Sequence, residues 1–201
     1  MLSRIVLASN NRGKLAELQA MFAPLGLELV RQADLGIPEA EEPFRTFLEN
    51  ALAKARHAAQ HSGLPALADD AGLCVKAFGG QPGVDTAYYA TQFGYPKGDD
   101  NNVTALLEQM RGIDDRRAAL VSTLVAVRSP QDPEPLVAVG RAPGEIARER
   151  RGEHGFGFDP VMVIPAFGKT FAELPPEVKN ANSHRGQAAR QMVQLIRERW
   201  L

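Results

Sequence analysis

The chain has 201 residues, of which 44% are hydrophobic and 23% charged, and its formal charge at pH 7 is -1. This is the composition of a globular protein, and it argues against intrinsic disorder and against a generally basic nucleic-acid-binding protein. The single cysteine, Cys74, excludes an intramolecular disulfide, and neither a secretory signal nor a membrane-spanning apolar run is present in the sequence. We therefore expect a soluble, cytoplasmic protein with one domain over residues 1–201.

The chain opens with a predicted strand, a polar loop and a helix. Residues 5–8 form a short apolar run that is typical of a buried strand, and a polar loop follows over residues 9–14. Apolar residues then recur at helical spacing over residues 15–25, and residues 27–30 form a second predicted strand. Residues 34–45, rich in Pro, Gly and acidic side chains, are expected to form a loop.

A second helix is predicted behind a capping box. Residues 46–49 read Thr-Phe-Leu-Glu, the pattern that begins a helix, and the apolar face behind it ends at about Gly63. Residues 66–68 are a short apolar segment that ends in the polar sequence of residues 69–72. A further strand is expected to begin after it, over residues 73–75.

The second half of the chain combines an irregular region with a predicted hairpin. Residues 79–102 hold many Gly, Pro, Asp and Asn residues, which predicts irregular structure or a flexible lid. A short helix is predicted over residues 103–110. Residues 118–127 and 136–140 are apolar and flank turn chemistry at residues 129–133, which predicts a hairpin.

The C-terminal part adds short strands and a final helix. Residues 144–147 and 161–164 are predicted strands, with a glycine-rich loop at residues 155–160 before the second of them. Ser183 is a predicted N-cap for a last helix, whose apolar stripe runs over residues 192–200. Helices at both ends and a mixed set of strands between them predict an α/β fold with a mixed sheet.

The first polar loop has the features of an anion site. It consists of Ser9, Asn10, Asn11, Arg12, Gly13 and Lys14. It leads into a helix N-terminus, where backbone N–H groups and the helix dipole attract anions. Arg12 and Lys14 have the wrong sign for this helix end, and a bound phosphate would resolve the conflict. A solvated turn with an asparagine cap explains the pattern equally well.

The last helix repeats the charge anomaly. His184 and Arg185 follow the predicted cap Ser183 and so occupy the first turn. Two potential cations at the positive end of a helix suggest an anionic or oxygen-rich ligand. Taken alone, this helix favours the simpler interpretation that both side chains extend into water.

Acidic residues follow in two groups. Asp69 and Asp70 come directly after an apolar segment, and Glu39, Glu41 and Glu42 lie together in a predicted loop. Carboxylates with open water positions suit Mg²⁺ bound together with substrate phosphates. The ordinary alternatives are a turn cap for the aspartates and a solvated acidic loop for the glutamates.

The glycine-rich loop over residues 155–160 offers a second kind of site. Its glycines allow close approach of a ligand, and Phe156 or Phe158 can stack on a base, although Asp159 before a proline also fits an ordinary turn. Magnesium, phosphates and a planar base together indicate a nucleoside triphosphate.

At these residues the chain resembles the inosine/xanthosine triphosphate pyrophosphatases, which remove non-standard purine nucleotides. Six segments carry the resemblance in order along nearly the whole chain: LASNNRGKLAEL, AEEPFRTFLENALAKA, ALADDAGLCV, GGQPGVDTAYYA, GFGFDPVM and KNANSHRGQA. The resemblance implies an elongated mixed sheet flanked by helices, two lobes with a central cleft, and a homodimer. It also implies Mg²⁺-dependent hydrolysis of ITP, dITP and XTP to the monophosphate and pyrophosphate.

The same resemblance implies roles for individual residues. Asp70 corresponds to the catalytic carboxylate, and Glu41 and Asp70 correspond to metal ligands, with Glu42 and Asp69 as neighbours. The residues that correspond to substrate contacts are Ser9, Asn10, Asn11, Arg12, Gly13 and Lys14 for the triphosphate, and Phe156, Gly157, Phe158, Asp159, Lys179, His184 and Arg185 for the nucleoside. Either Asp70 or Asp69 can serve as the proton acceptor.

Three features depart from the family pattern. Ala71 stands at a usual serine position and leaves only its backbone N–H for a substrate contact, and Phe158 replaces a common tyrosine. Residues 91–102 do not match the family well. The open alternatives are a pyrophosphatase that prefers pyrimidine nucleotides, a nucleotide-binding protein without catalysis, and a phosphomonoesterase that releases orthophosphate.

Overall fold

The computed structural model describes residues 2–201, which form five α-helices and seven strands. The α-helices are α1 (Arg12–Phe22), α2 (Phe47–Ser62), α3 (Asp99–Gln109), α4 (Pro176–Asn182) and α5 (His184–Arg199). The strands are β1 (Arg4–Leu7), β2 (Glu28–Arg31), β3 (Ala66–Val75), β4 (Arg117–Val127), β5 (Leu136–Ile146), β6 (Met162–Ile164) and β7 (Lys169–Thr170).

The strands of this described range join in a seven-stranded sheet with the order β2-β1-β3-β4-β5-β6-β7. β1 pairs in parallel with β2 and with β3, so that Ile5 lies opposite Leu29 and Val6 opposite Ala66. β6 pairs antiparallel with β5 and with β7. The predicted α/β fold with a mixed sheet is therefore confirmed.

The chain divides into two compact units. The first comprises residues up to Asp70 together with Ser122–Gly140 and His184–Leu201, and the second comprises Ala71–Val121 and Arg141–Ser183. Three strands, β3, β4 and β5, each contribute residues to both units.

The first unit has a hydrophobic cluster on each side of β1, because successive side chains of a strand point to opposite faces. Ile5 and Leu7 belong to a buried cluster with residues of α1 and α5. Val6 belongs to a second cluster, which contains the alanines of α2. These alanines let α2 lie close to the sheet, which brings its polar side chains near β3.

The second unit has its own core. It is built around buried side chains of α3 and β6 and around Phe171. In residues 2–201, no helix combines the length and the apolar character that crossing a membrane requires.

The predicted helix boundaries are largely confirmed. Thr46 caps α2 by accepting a hydrogen bond from the Glu49 backbone N–H at 3.2 Å, and Gly63 ends the helix with a φ of 68°. The last helix begins at His184, directly after Ser183. Gly140 on β5 permits this helix to approach, since a Cβ there would lie 1.8 Å from the His184 carbonyl oxygen.

The predicted polar break at residues 69–72, between an apolar segment at 66–68 and a strand at 73–75, was wrong. β3 runs without interruption from Ala66 to Val75, and both aspartates of this segment lie inside it. Aspartate is disfavoured in a buried strand unless its charge is paired, and here both carboxylates meet cations from other elements. Only the folded chain supplies those partners.

Two further differences concern element boundaries. β5 continues to Ile146 instead of stopping at Gly140, because every second residue from Leu136 onward remains buried. The region 79–102 is more regular than predicted: Gly83–Phe93 form a 3-10 helix and α3 already begins at Asp99.

Candidate active site

Asp69 and Asp70 are neighbours on β3, so their side chains point to opposite faces of the strand. Leu67, two residues before Asp69, belongs to the cluster that contains α1 and α5. Ala68, two residues before Asp70, belongs to the cluster that contains α2. The two aspartates are 1% and 7% exposed. The local fold thus places two buried carboxylates in two different environments.

Asp69 is held by three donors from three elements. Its Oδ2 lies 2.9 Å from Lys14 Nζ and 3.0 Å from Arg185 Nε, and its Oδ1 accepts a hydrogen bond from Ser122 Oγ at 2.6 Å. Burial disfavours the charged form, but Lys14 and Arg185 together outweigh burial and hold the pKa of Asp69 well below its usual range. Asp69 is therefore ionised at any pH at which the protein works.

These contacts also explain the charge anomaly at two helix starts. Lys14 lies in the first turn of α1 and Arg185 in the first turn of α5, and both reach Asp69. Arg185 Nη1 also contacts Glu17 Oε2 at 2.8 Å. A carboxylate of the protein itself thus supplies part of the negative charge for which a bound phosphate was the predicted source. Arg12 is exposed.

Asp70 has a different set of neighbours. Lys54 Nζ lies 2.8 Å from its Oδ1, whereas its Oδ2 is buried and has no hydrogen-bond partner among residues 2–201. Burial raises the pKa of Asp70 to about 6; Lys54 opposes this shift, and the nearby Glu42 carboxylate adds to it. Asp70 is therefore a carboxylate that exchanges its proton close to neutral pH.

Lys54 connects the acidic loop to this aspartate. Its ammonium contacts Glu42 Oε2 at 2.8 Å and donates to the Asp69 carbonyl oxygen at 3.1 Å, in addition to its contact with Asp70. Burial lowers its pKa, but Asp70 and Glu42 outweigh burial and raise it, so Lys54 stays charged. Asn50 holds the acidic loop in place by exchanging two hydrogen bonds with the backbone of Phe44.

The carboxylate oxygens around Asp70 are suitable ligands for a hard divalent cation. Asp70 Oδ2 is a buried carboxylate oxygen still able to accept a ligand, Glu42 lies next to it, and Glu41 is exposed on the same loop. No group of three or more His, Cys, Asp or Glu side chains in the described range could hold a metal. A cation at this place would complete its shell with water and phosphate oxygens, as Mg²⁺ commonly does.

The polar loop before α1 has the predicted form. Asn11 caps the helix through its Oδ1, which accepts from the Lys14 backbone N–H at 3.0 Å, and Ser9 Oγ accepts from the Asn11 N–H at 3.2 Å. Asn10 Nδ2 donates to Glu39 Oε1 at 2.9 Å. The side-chain bonds fix the loop, so its backbone is held in one conformation at the N-terminus of α1.

In the second unit, Asp159 organises the glycine-rich loop. Its Oδ2 accepts hydrogen bonds from the Phe156 backbone N–H at 2.9 Å and from Lys179 Nζ at 2.7 Å. Lys179 Nζ also lies 4.7 Å from the centre of the Phe156 ring. Gly155 is required here, because its φ is 80° and a Cβ would lie 2.1 Å from the Asp159 carboxylate. Asp99 Oδ2 accepts from the Gly157 N–H at 2.9 Å.

The structure distinguishes the two phenylalanines of this loop. Phe158 is buried in the core of the second unit, where it packs with Val161 and Phe171. Phe156 is only partly buried. Of the two rings proposed to stack on a base, Phe156 is the accessible one. Ala71, on β3, is also partly buried.

Three residues that contact the candidate site residues were not predicted from the sequence. Ser122 contacts Asp69, Glu17 contacts Arg185, and Asp99 contacts the glycine-rich loop. Ser122 had a usable signal, since Ser122 and Thr123 are hydroxyl residues in the middle of a largely apolar strand. Asp99 lies in the segment 91–102, which departs from the family pattern.

Comparison with known proteins identifies the family of this chain. The family model described as Ham1 family matches residues 5–195. A protein of Acidovorax sp. (strain JS42) named dITP/XTP pyrophosphatase is 80% identical over 98% of this chain and 96% of its own length. A protein of the same name from Paracidovorax citrulli is 79% identical over 98% of this chain and 99% of its own.

Solved structures give the same result. A HAM1 protein from Coxiella burnetii matches with a TM-score of 0.90 and 44% identity, covering 98% of this chain and all (100%) of that one. The family model, the two relatives and the Coxiella burnetii structure each match nearly the whole of this chain. This chain therefore belongs to the Ham1 family.

Proposed function

We propose that this chain is a Mg²⁺-dependent pyrophosphatase that hydrolyses non-standard purine nucleoside triphosphates, namely dITP, XTP and ITP, to the monophosphate and pyrophosphate. The names of its relatives support the substrate class. The observation that carries the proposal is the state of Asp70. Its buried Oδ2 has no hydrogen-bond partner among residues 2–201, and its pKa is about 6. A carboxylate of this kind is suited to accept a proton at neutral pH.

Asp70 is the proposed catalytic carboxylate, which acts either as the proton acceptor for the attacking water or through the cation that it binds. Lys54 holds Oδ1 at 2.8 Å and so directs Oδ2 away from itself. A base works best when its pKa lies close to the working pH, and burial brings the Asp70 pKa toward that value. Attack on the α-phosphorus then breaks its bond to the bridging oxygen, and pyrophosphate leaves with that oxygen.

The loop from Ser9 to Lys14 is the proposed site for the phosphate chain. Backbone N–H groups at the N-terminus of α1 and the charges of Arg12 and Lys14 face developing negative charge there. Because Asn11 and Ser9 fix the loop through side-chain hydrogen bonds, these donors are in place before the substrate binds.

Glu41 and Asp70 are the proposed ligands of Mg²⁺, with Glu42 and Asp69 as neighbours. When bound, the cation neutralises phosphate charge and lowers the pKa of a coordinated water. Lys54 keeps its charge between Glu42 and Asp70, and so limits the repulsion between these carboxylates before a cation arrives.

The proposed nucleoside contacts are Ala71, Phe156, Gly157, Phe158, Asp159, Lys179, His184 and Arg185. Phe156 would stack on the base. Asp159 and Lys179 hold Phe156 in position. Hypoxanthine and xanthine carry a 6-oxo acceptor, whereas adenine carries an amino donor. A donor such as His184 would pair with the oxo group and would be left unsatisfied by adenine, which disfavours ATP.

We further propose that residues 1–201 act as a single domain, that the protein is a homodimer, and that it works in the cytoplasm on the nucleotide pool without a nucleic-acid or membrane partner. Light scattering coupled to size exclusion tests the dimer: a mass near twice 21.8 kDa supports it, and a monomer mass contradicts it.

The experiment that tests the function measures products. Purified protein with MgCl₂ is mixed separately with dITP, XTP, ITP, GTP, ATP and CTP, and pyrophosphate and orthophosphate are both measured. Pyrophosphate from the first three, with little from the others, is the expected result, and chelation with EDTA should stop it. Preference for CTP, release of orthophosphate, or binding without turnover would contradict the proposal.

A further inference from the structure

The side chain of Asp69 is fully enclosed by donors. It has 0% exposure, and its partners come from α1, α5 and β4: Lys14 and Arg185 on Oδ2, and Ser122 on Oδ1. A proton acceptor needs an oxygen that a water molecule can reach. Both Asp69 oxygens already accept from donors within residues 2–201, whereas Oδ2 of Asp70, the next residue, is buried without a hydrogen-bond partner there and is open to a new one.

We propose that Asp69 is a positioning residue that fixes the Lys14 ammonium for the phosphate chain, with Ser122 and Arg185 fixing the orientation of the Asp69 carboxylate. This inference rests on the proposed function in one respect, because it takes Lys14 as a phosphate ligand. It removes Asp69 from the two possible proton acceptors and adds Ser122 to the residues on which substrate binding depends.

The geometry at Lys14 supports this role. Its side chain is 19% exposed, and its ammonium contacts the Asp69 carboxylate at 2.9 Å. An ammonium carries three donors, and one contact with Asp69 leaves it able to donate to a phosphate. A lysine side chain is otherwise flexible, so anchoring its end before substrate arrives lowers the ordering cost of binding.

The charge balance around Asp69 explains why its carboxylate keeps its position when Lys14 contacts a phosphate. Lys14 and Arg185 carry two positive charges, and Asp69 and Glu17 carry two negative ones. Arg185 bridges the two carboxylates, with Nε on Asp69 and Nη1 on Glu17. Asp69 therefore stays paired with Arg185 and Ser122 when the Lys14 ammonium also contacts a phosphate.

The test measures binding of inorganic pyrophosphate by calorimetry in MgCl₂, without turnover. Ser122→Ala keeps every charge and removes one hydrogen bond to Asp69. We expect it to weaken pyrophosphate binding about three- to tenfold, which is less than the full effect of one hydrogen bond to a charged group because Ser122 acts on pyrophosphate only through Asp69 and Lys14. In a Lys14→Met background the same substitution should have no further effect. Ser62→Ala, which removes a hydroxyl bonded to the Ala58 carbonyl at 2.7 Å, is the matched control and should bind normally.

A second comparison uses turnover. If Asp69 acts through Lys14, Asp69→Asn costs little more in the Lys14→Met background, whereas the losses multiply if it is an independent base. Wild-type affinity in Ser122→Ala, an equal loss in both backgrounds, or no pyrophosphate binding by the wild type would overturn the inference. Failure of the proposed function is seen separately, as no pyrophosphate release from any triphosphate by a wild type that still binds pyrophosphate.

Discussion

Asp69 and Asp70 are adjacent in the chain and both buried, yet the two faces of β3 give them different neighbours. On the face covered by α1 and α5, Asp69 meets two cations and a hydroxyl group. On the face covered by α2, Asp70 meets one cation that it shares with Glu42. Burial favours the protonated form of both, and the number of cations decides which way each pKa moves.

This comparison separates two tasks that the sequence places side by side. A carboxylate with its full set of partners stabilises the fold and holds other groups in position. A carboxylate with an unfilled oxygen and a pKa near neutrality can bind a cation or accept a proton. The difference comes from the helices that pack on each face, because the two side chains are chemically identical.

The largest expected effect is the loss of turnover in Asp70→Asn. The amide can neither accept the proton nor bind a cation as a carboxylate does, so pyrophosphate release should fall about 10³-fold. The fold should persist, since the substitution removes a buried charge. Thermal unfolding of the variant is the control, and a stable variant with near wild-type turnover would sink the catalytic role.

Arg185→Met should act on stability instead. It leaves the buried Asp69 and the partly buried Glu17 without their shared cation, which should lower the free energy of unfolding by about 3–5 kcal/mol. The matched control is Arg199→Met at an exposed ion pair with Glu134, which should cost less than about 1 kcal/mol. Urea denaturation measures both free energies of unfolding. Equal losses in the two variants would show that the buried ion pairs of Asp69 stabilise the fold no more than an exposed ion pair does.

The two faces should also differ in their pH dependence. In metal-free buffer folded Asp70 holds its proton up to about pH 6, whereas the unfolded chain releases it near 3.8. The free energy of unfolding of the wild type relative to Asp70→Asn should therefore fall by about 1–3 kcal/mol as pH rises from about 4 to about 6.

The stabilisation by Asp69 has the opposite pH dependence. Its folded pKa lies below the unfolded one, so its stabilisation is fully present above the unfolded pKa and is lost only as pH falls below it. The stability difference between wild type and Arg185→Met should stay constant over the same range. Urea denaturation at a series of pH values measures both differences, and a parallel pH dependence of the two would contradict the comparison.

The smallest expected effect is in base selection. His184 is buried beside Arg185 in the first turn of α5, so His184→Ala tests whether this structural helix end also contacts the base. The ratio of kcat/KM for ITP to that for ATP should fall about tenfold, as expected when one polar contact is lost. An unchanged ratio would show that His184 does not contribute to base recognition and that the first turn of α5 has only a structural role.

Much of the first unit could be predicted from local patterns. The strand, polar loop and helix around Lys14 and the capping box at Thr46 depend on residues close in sequence, and the structure confirms them. His184 and Arg185 were expected to extend into water, but both are buried. The wrong-signed cations at the starts of α1 and α5 also suggested a bound anion, whereas the anion that Lys14 and Arg185 contact in the structure belongs to the chain itself. Its identity as Asp69 could not be predicted, since Lys14, Asp69 and Arg185 meet only in the folded chain.

The errors have the same origin. A polar break was expected at residues 69–72, and β3 instead continues through it because Lys14, Lys54 and Arg185 pair the two aspartates. The extension of β5 past Gly140 likewise depends on burial of one face by distant residues. Ser122 was missed because a serine in an apolar strand carries no sign of its partner.

The most direct test of this account is a ¹³C NMR titration of the carboxyl carbons of Asp69 and Asp70 in the metal-free protein. The account predicts that Asp70 titrates with a midpoint near pH 6, while Asp69 stays ionised over the whole range in which the protein is folded. Two carboxyls that titrate together in the ordinary range, or an Asp69 that takes up a proton before Asp70, would contradict the division of roles between the two faces of β3.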